Sequence, residues 1–143
     1  MTQPQAAEEI IETLINRALA ARDHAYAPYS EYMVGCALLA GGEIFEGANV
    51  ENSSYGMTMC AERGAVANAV YSGNRNLDIV VVATASSPPA APCGMCLQTL
   101  NEFAETPEAV RIIVVNPQGE RREFNLHDLL PHGFRKHQLD EAT

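Results

Sequence analysis

The chain of 143 residues is sized for one domain, and its 47 % hydrophobic content is enough for a core. A net charge of −9 opposes a nucleic-acid partner, since a polyanion would be repelled. No stretch approaches the ~18 consecutive apolar residues of a membrane span, and the acidic start, with Glu8, Glu9 and Glu12, lacks the basic region of a signal peptide. A cytoplasmic protein with reduced thiols is therefore expected. Its four cysteines then read as metal ligands, reactive thiols or core residues ahead of disulfides. The charged fraction of 19 % is low for a small monomer and points to surface buried in an oligomer.

In chain order, Ile11, Leu14, Ile15, Ala18 and Leu19 recur at helical spacing with polar residues between them, predicting an amphipathic helix of about five turns. It should stop before the Tyr26-Ala27-Pro28-Tyr29-Ser30 segment, because the residue ahead of a proline is pushed out of the helical region. Residues 34–40 are apolar, Gly41-Gly42 follows, then Glu43-Ile44-Phe45-Glu46, and two strands around a Gly-Gly pair read as a hairpin. Residues 60–71 are rich in alanine and predict a helix ending near Gly73. Residues 78–83 (DIVVVA) predict a buried strand, 86–92 a proline-rich loop and 94–104 another helix. Residues 111–115 and 121–124 predict strands joined by the Asn116-Pro117-Gln118-Gly119 turn. Asn125 with Asp128 resembles the cap of a short helix. The order implies an α/β domain over residues 1–143 with helices on both sheet faces; residues 1–8 and 137–143 are expected as flexible tails.

Two short motifs carry the chemistry. Cys93 and Cys96, in Pro92-Cys93-Gly94-Met95-Cys96, open one predicted helix, where the helix N-terminus favours thiolates. Alone, this pair could equally be a redox couple or half of a structural zinc knuckle. Cys60-Ala61-Glu62 opens another helix. Three thiolates make an open zinc site when no fourth protein ligand arrives, and a carboxylate that is not a ligand can accept a proton from an activated water. Taken singly, Glu62 reads as an ordinary first-turn acid and Cys36 as a small core residue. The four histidines show no spacing that suggests a metal.

The combination, Cys-x-Glu at one helix start and Pro-Cys-x-x-Cys at the next with a strand between, matches the zinc deaminase signature with Cys in place of His. The chain further resembles the small, homotetrameric zinc-dependent cytidine deaminase family. The resemblance runs through Ala27-Pro28-Tyr29-Ser30, Val34-Gly35, Gly47-Ala48-Asn49-Val50-Glu51-Asn52, Tyr55, Cys60-Ala61-Glu62-Arg63, Pro92 to Gln98, Leu129-Leu130-Pro131 and Phe134. It implies a three-layer α/β/α fold with a mixed five-stranded sheet. It also implies one zinc ion per chain on Cys60, Cys93 and Cys96, with Glu62 as the proton shuttle. Asn49 and Glu51 would hold ribose hydroxyls, and Tyr32, Tyr55, Ala61 and Phe134 complete the substrate-binding set. Phe134 would reach a neighbouring subunit's site in a homotetramer, and Arg63 would donate to the ligand sulfurs. Tyr32 stands where the family commonly has Phe, and Leu97 where many members have Arg.

The implied reaction is hydrolytic deamination of cytidine and 2'-deoxycytidine, a step of pyrimidine salvage, by a zinc-activated water and no organic cofactor. Its rivals are a deaminase of N4-substituted or otherwise modified cytidines or of a nucleoside antibiotic, a non-enzymatic zinc module, which would need a fourth ligand and leave Glu62 idle, and a polynucleotide-editing deaminase, which the charge opposes.

Overall fold

The three central strands are apolar on both sides, and the fold buries both. The computed structural model describes residues 3–141. Helix α1 (Gln3–Ala21) leads into β1 (Gly35–Ala40) and β2 (Glu43–Ala48), followed by α2 (Ala61–Tyr71), β3 (Leu77–Ala83) and α3 (Gly94–Glu102). The chain then forms β4 (Arg111–Val115), β5 (Arg121–Asn125), α4 (Leu126–Leu129) and α5 (Lys136–Glu141). The five strands lie in the order β2-β1-β3-β4-β5. β1 is antiparallel to β2 and β3, β3 is parallel to β4, and β4 is antiparallel to β5, so the sheet is mixed. The single parallel pair is the one that needs a crossover, and α3 lies in that connection.

Period-two alternation sorts the side chains. Ala37, Ile79, Val81, Ala83, Ile113 and Val115 face α1, meeting Ile11, Leu14 and Ala18. Cys36, Leu38, Val80, Val82, Ile112 and Val114 face the other way, onto Ala61, Ala65 and Val66 of α2, Leu97 and Leu100 of α3, and Leu126. Helices thus cover both faces in the expected three layers. The hairpin turn holds Gly41 and Gly42 at φ of 59° and 79°, the left-handed region that glycine enters without penalty. Gly47 serves a different end. A Cβ there would lie 2.4 Å from the Ala61 carbonyl oxygen and 2.5 Å from the Ala65 nitrogen, so its bareness lets α2 settle on β2. That contact places the Cys60–Glu62 segment.

Element ends shift where tertiary bonds decide them. β2 runs to Ala48 because Gly47 and Ala48 pair with Cys36 and Gly35. The helix expected over 94–104 ends at Glu102. Phe103 and Ala104 donate backward to Leu100 and Asn101 in a tighter turn, and the Arg135 guanidinium caps the Asn101 and Ala104 carbonyls at 3.0 and 2.8 Å. Asn125 caps α4 as expected, accepting from the Asp128 nitrogen at 2.8 Å. Of the segments expected as tails, residues 3–8 form the start of α1 and 137–141 lie in α5; residues 1, 2, 142 and 143 lie outside the described residues. No helix among the described residues is long and apolar enough to cross a membrane.

Candidate active site

Cys60 is the N-cap of α2 and Cys93 the N-cap of α3, both in extended backbone conformation, and neither side chain caps its own helix. Their sulfurs are therefore free to turn outward, and Cys96, one turn into α3, joins them. The three Sγ atoms all lie within 4.8 Å of one another, with Cys93 and Cys96 3.6 Å apart. Ligand bonds of about 2.3 Å in a tetrahedron put sulfurs about 3.8 Å apart, so the donor set fits one zinc ion. The fourth cysteine does not join it. Cys36 is fully buried in the β1 core, and burial pushes its thiol up, as expected of a core residue.

One sulfur of the cluster, that of Cys60, is set to carry a negative charge. Cys60 is pulled down to about 5, first by the hydrogen bond from the Cys96 thiol and then by Arg63. Cys96 moves the opposite way, its proton held by the bond to Cys60. The Arg63 guanidinium reaches the Cys60 sulfur at 3.8 Å and the Thr58 carbonyl at 2.9 Å. Its buried Nε has no partner in the protein, an orphan donor close to the thiolate cluster. Leu97 points into the core with Leu100 and supplies no charge.

Glu62 follows Cys60 in the first turn of α2 and is 4 % exposed. Burial, joined by the nearby Cys60 charge, raises its carboxyl above the ordinary range, against the pull of its own backbone N–H. A carboxyl so placed holds a proton more readily than a free one, which suits it to take a proton and pass it on. Cys60, Ala61, Glu62 and Cys93 line one cavity of about 310 Å³ with Tyr32, Val34, Asn49, Glu51, Val82, Thr84 and Pro92. That is room for a nucleoside-sized ligand.

The polar rim is built from β2 outward. Glu51 accepts from the Tyr29 and Ser30 nitrogens at 2.9 and 3.1 Å and from the Ser30 hydroxyl. The Ser30 hydroxyl leads the contacts that hold its carboxyl below the usual range, so it stays ionised. Asn49 also lines the cavity, but its amide is committed to the protein. Its Oδ1 accepts from Val34 N at 2.8 Å and its Nδ2 donates to the Tyr32 carbonyl at 2.9 Å. One Nδ2 hydrogen remains for a ligand. Two expected residues stand apart from this cavity. Tyr55 stacks edge-on against Tyr29 at 5.8 Å and lines an adjoining cavity with Ser30, Glu51 and Thr58. Phe134 lies 54 % exposed beside α3, its backbone held by Gln98 at 2.8 and 3.0 Å. Sequence reasoning placed Ser30 in the family match without giving it a role and passed over Thr58 and Thr84, which no local signal marks out.

Three convergent thiols, a buried acid at a helix start and an ionised acid at the rim define a zinc-dependent hydrolase on an α/β/α sheet. The model of the cytidine and deoxycytidylate deaminase zinc-binding region matches residues 8–113. A cytidine deaminase of Sporosarcina psychrophila is 41 % identical over 134 residues, 93 % of this chain and 97 % of that one. One from Halalkalibacterium halodurans is 38 % identical over 131 residues, 91 % and 98 % of the two chains. The crystal structure of cytidine deaminase from Burkholderia pseudomallei superposes with a TM-score of 0.81 at 40 % identity, covering 94 % of this chain and all of the other. The chain belongs to the cytidine deaminase family.

Proposed function

We propose that the protein deaminates cytidine and 2'-deoxycytidine to uridine and 2'-deoxyuridine, releasing ammonia. The observation that carries this is the buried Glu62 carboxyl sharing one cavity with Cys60 and Cys93 at one end and ionised Glu51 at the other.

Bound by the Cys60, Cys93 and Cys96 sulfurs, zinc supplies the Lewis acidity that makes a water nucleophilic at neutral pH. Glu62 accepts a proton from the attacking water and delivers it to N3 of the ring; it then takes the proton of the new C4 hydroxyl and passes it to the amino group, which departs as ammonia as the C4 carbonyl forms. Glu51 and the spare Asn49 hydrogen take the ribose hydroxyls, so binding energy far from C4 orients the base. Tyr32 lies against the base, and Ala61 offers its backbone N–H. Arg63, hydrogen-bonded to Cys60, offsets sulfur charge.

The same reading makes the active species a homotetramer in which Phe134 of a neighbouring subunit covers the base. Support comes from its exposure outside its own cavity and from the exposed Tyr26, Val50, Tyr55, Met57 and Met59. It also takes residues 1–143 as a single deaminase domain at work in the cytoplasm, where its thiols stay reduced, in pyrimidine salvage. The test is ultraviolet loss of cytidine and deoxycytidine by zinc-loaded protein, with free cytosine as control. Efficient turnover of cytosine, which lacks the sugar, would contradict the nucleoside assignment.

A further inference from the structure

A chain of three hydroxyls reaches the cavity wall. Tyr32 and Ser86 oxygens lie 2.8 Å apart, as do those of Ser86 and Thr84. Tyr32 and Thr84 line the cavity, and Ser86 stands behind them. The hub is fixed from outside the site: buried Asn116 donates to the Ser86 carbonyl at 3.0 Å, and the Ala90 nitrogen donates to the Thr84 hydroxyl at 3.4 Å.

Hydrogen counting makes this chain more than a strut. Three hydroxyls carry three hydrogens, but two O···O contacts use only two. One O–H is left over within the chain; where Tyr32 donates to Ser86 and Ser86 to Thr84, it is the Thr84 hydrogen, on an almost fully buried residue of the cavity wall that water serves poorly.

The ring orientation says what this donor meets. This step rests on the proposed deamination. C4 must lie at the cysteine cluster, N1 toward Glu51, and N3 against Glu62. O2 neighbours N3 as Ala61 neighbours Glu62, and the Ala61 N–H is not capped by the Cys60 side chain. The N3–O2 edge therefore faces the start of α2. The C5 edge is the one left, and the unassigned wall of Val82, Ala90, Ala91 and Pro92 with Tyr32 and Thr84 meets it, the two hydroxyls being its polar part.

We propose that the Tyr32–Ser86–Thr84 hydroxyl chain presents a hydrogen-bond donor to the C5 edge of the base, so that the site accepts cytidines carrying a small 5-substituent with an oxygen acceptor in preference to apolar ones of equal size.

The experiment compares 5-hydroxymethylcytidine with its near isostere 5-ethylcytidine, using zinc-loaded protein and unmodified cytidine as reference. The ratio of their kcat/KM values is measured for the parent and for Tyr32→Phe/Thr84→Val, which removes the two hydroxyls of this chain that line the cavity. Intrinsic differences in base reactivity cancel between the two proteins. The ratio should fall about fivefold to tenfold in the variant, the usual effect of one hydrogen bond. A change under about twofold overturns the donor role. Failure of the parent to deaminate cytidine itself overturns the proposed function instead. If the double variant loses zinc or unfolds, the parent decides: 5-hydroxymethyluridine should inhibit about fivefold more tightly than 5-ethyluridine, and equal inhibition refutes the proposal.

Discussion

Asn49→Ala separates two roles that converge on one side chain. In the structure Asn49 is 8 % exposed and bridges Val34 N to the Tyr32 carbonyl. Truncation removes two hydrogen bonds, each worth roughly 0.5–1.5 kcal/mol net, and strands a half-buried amide, at about 1–3 kcal/mol. These terms overlap, since the stranded Val34 N–H is half of one bond, so we expect a loss of about 2–3 kcal/mol. For a chain of this size that lowers Tm by roughly 4–12 °C. Because Tyr32 is held through the same amide, cytidine should also bind more weakly, and kcat/KM should fall further than KM alone predicts. Asn49→Asp keeps the acceptor for Val34 but sets a carboxylate against the Tyr32 carbonyl, so it should recover only part of the stability. Urea denaturation and steady-state kinetics on zinc-loaded protein read both effects. Unchanged stability with impaired cytidine binding would show that the amide serves the ribose alone and that its backbone bonds are incidental.

Glu62→Gln should fold and hold zinc yet lose about 10²–10⁴-fold in kcat, because the amide cannot take and return a proton; activity within about tenfold of the parent would dismiss the proton-shuttle role. Cys93→Ser replaces a thiolate donor with a hydroxyl that stays protonated, so zinc per chain, read by atomic absorption after dialysis against a chelator, should drop well below that of the parent. Gly47→Ala drives a methyl into the α2 backbone and should cost about 1–3 kcal/mol and lower kcat as the Cys60–Glu62 segment shifts; unaltered denaturation and turnover would mean α2 is not seated by that contact. Phe134→Ala should raise KM about threefold to tenfold, and sedimentation of the parent at assay concentration should show a tetramer; a fully active monomer would rule out shared sites.

The chemistry was the most legible part of the sequence, because metal ligands and helix starts leave fixed spacings. Cys-x-Glu and Pro-Cys-x-x-Cys mark the starts of α2 and α3, and the structure brings those starts together through β3. The strand cores were legible for a similar reason, since a run such as DIVVVA has no polar face to leave outside. What escaped was set by tertiary bonds. The end of α3 depends on Arg135, more than thirty residues away in sequence, and the Ser86 hub depends on Asn116. Asn49 was read for its donors and acceptors, but the backbone that uses them lies on a neighbouring segment. Tyr55 and Phe134 fall outside the chain's own cavity, and the family match alone connects them to substrate.

Leu97 raises a question of charge that the fold itself answers. Three thiolates around a dication leave a net charge of −1, which weakens Lewis acidity unless something nearby is positive. A second arginine at position 97 would be one remedy, but Leu97 is 7 % exposed and packed with Leu100 in the core. Two other sources are present. Arg63 contacts Cys60 directly, and its guanidinium is held charged by that contact. Cys60 and Cys93 also sit at the N-caps of α2 and α3, where the aligned peptide dipoles place roughly half a positive charge each, and neither side chain caps its own helix. Two such termini and one guanidinium together exceed the single negative charge to be offset. With zinc on the three sulfurs the backbone would share in the compensation, while Leu97 packs the core that holds α3, and with it Cys93 and Cys96, in place.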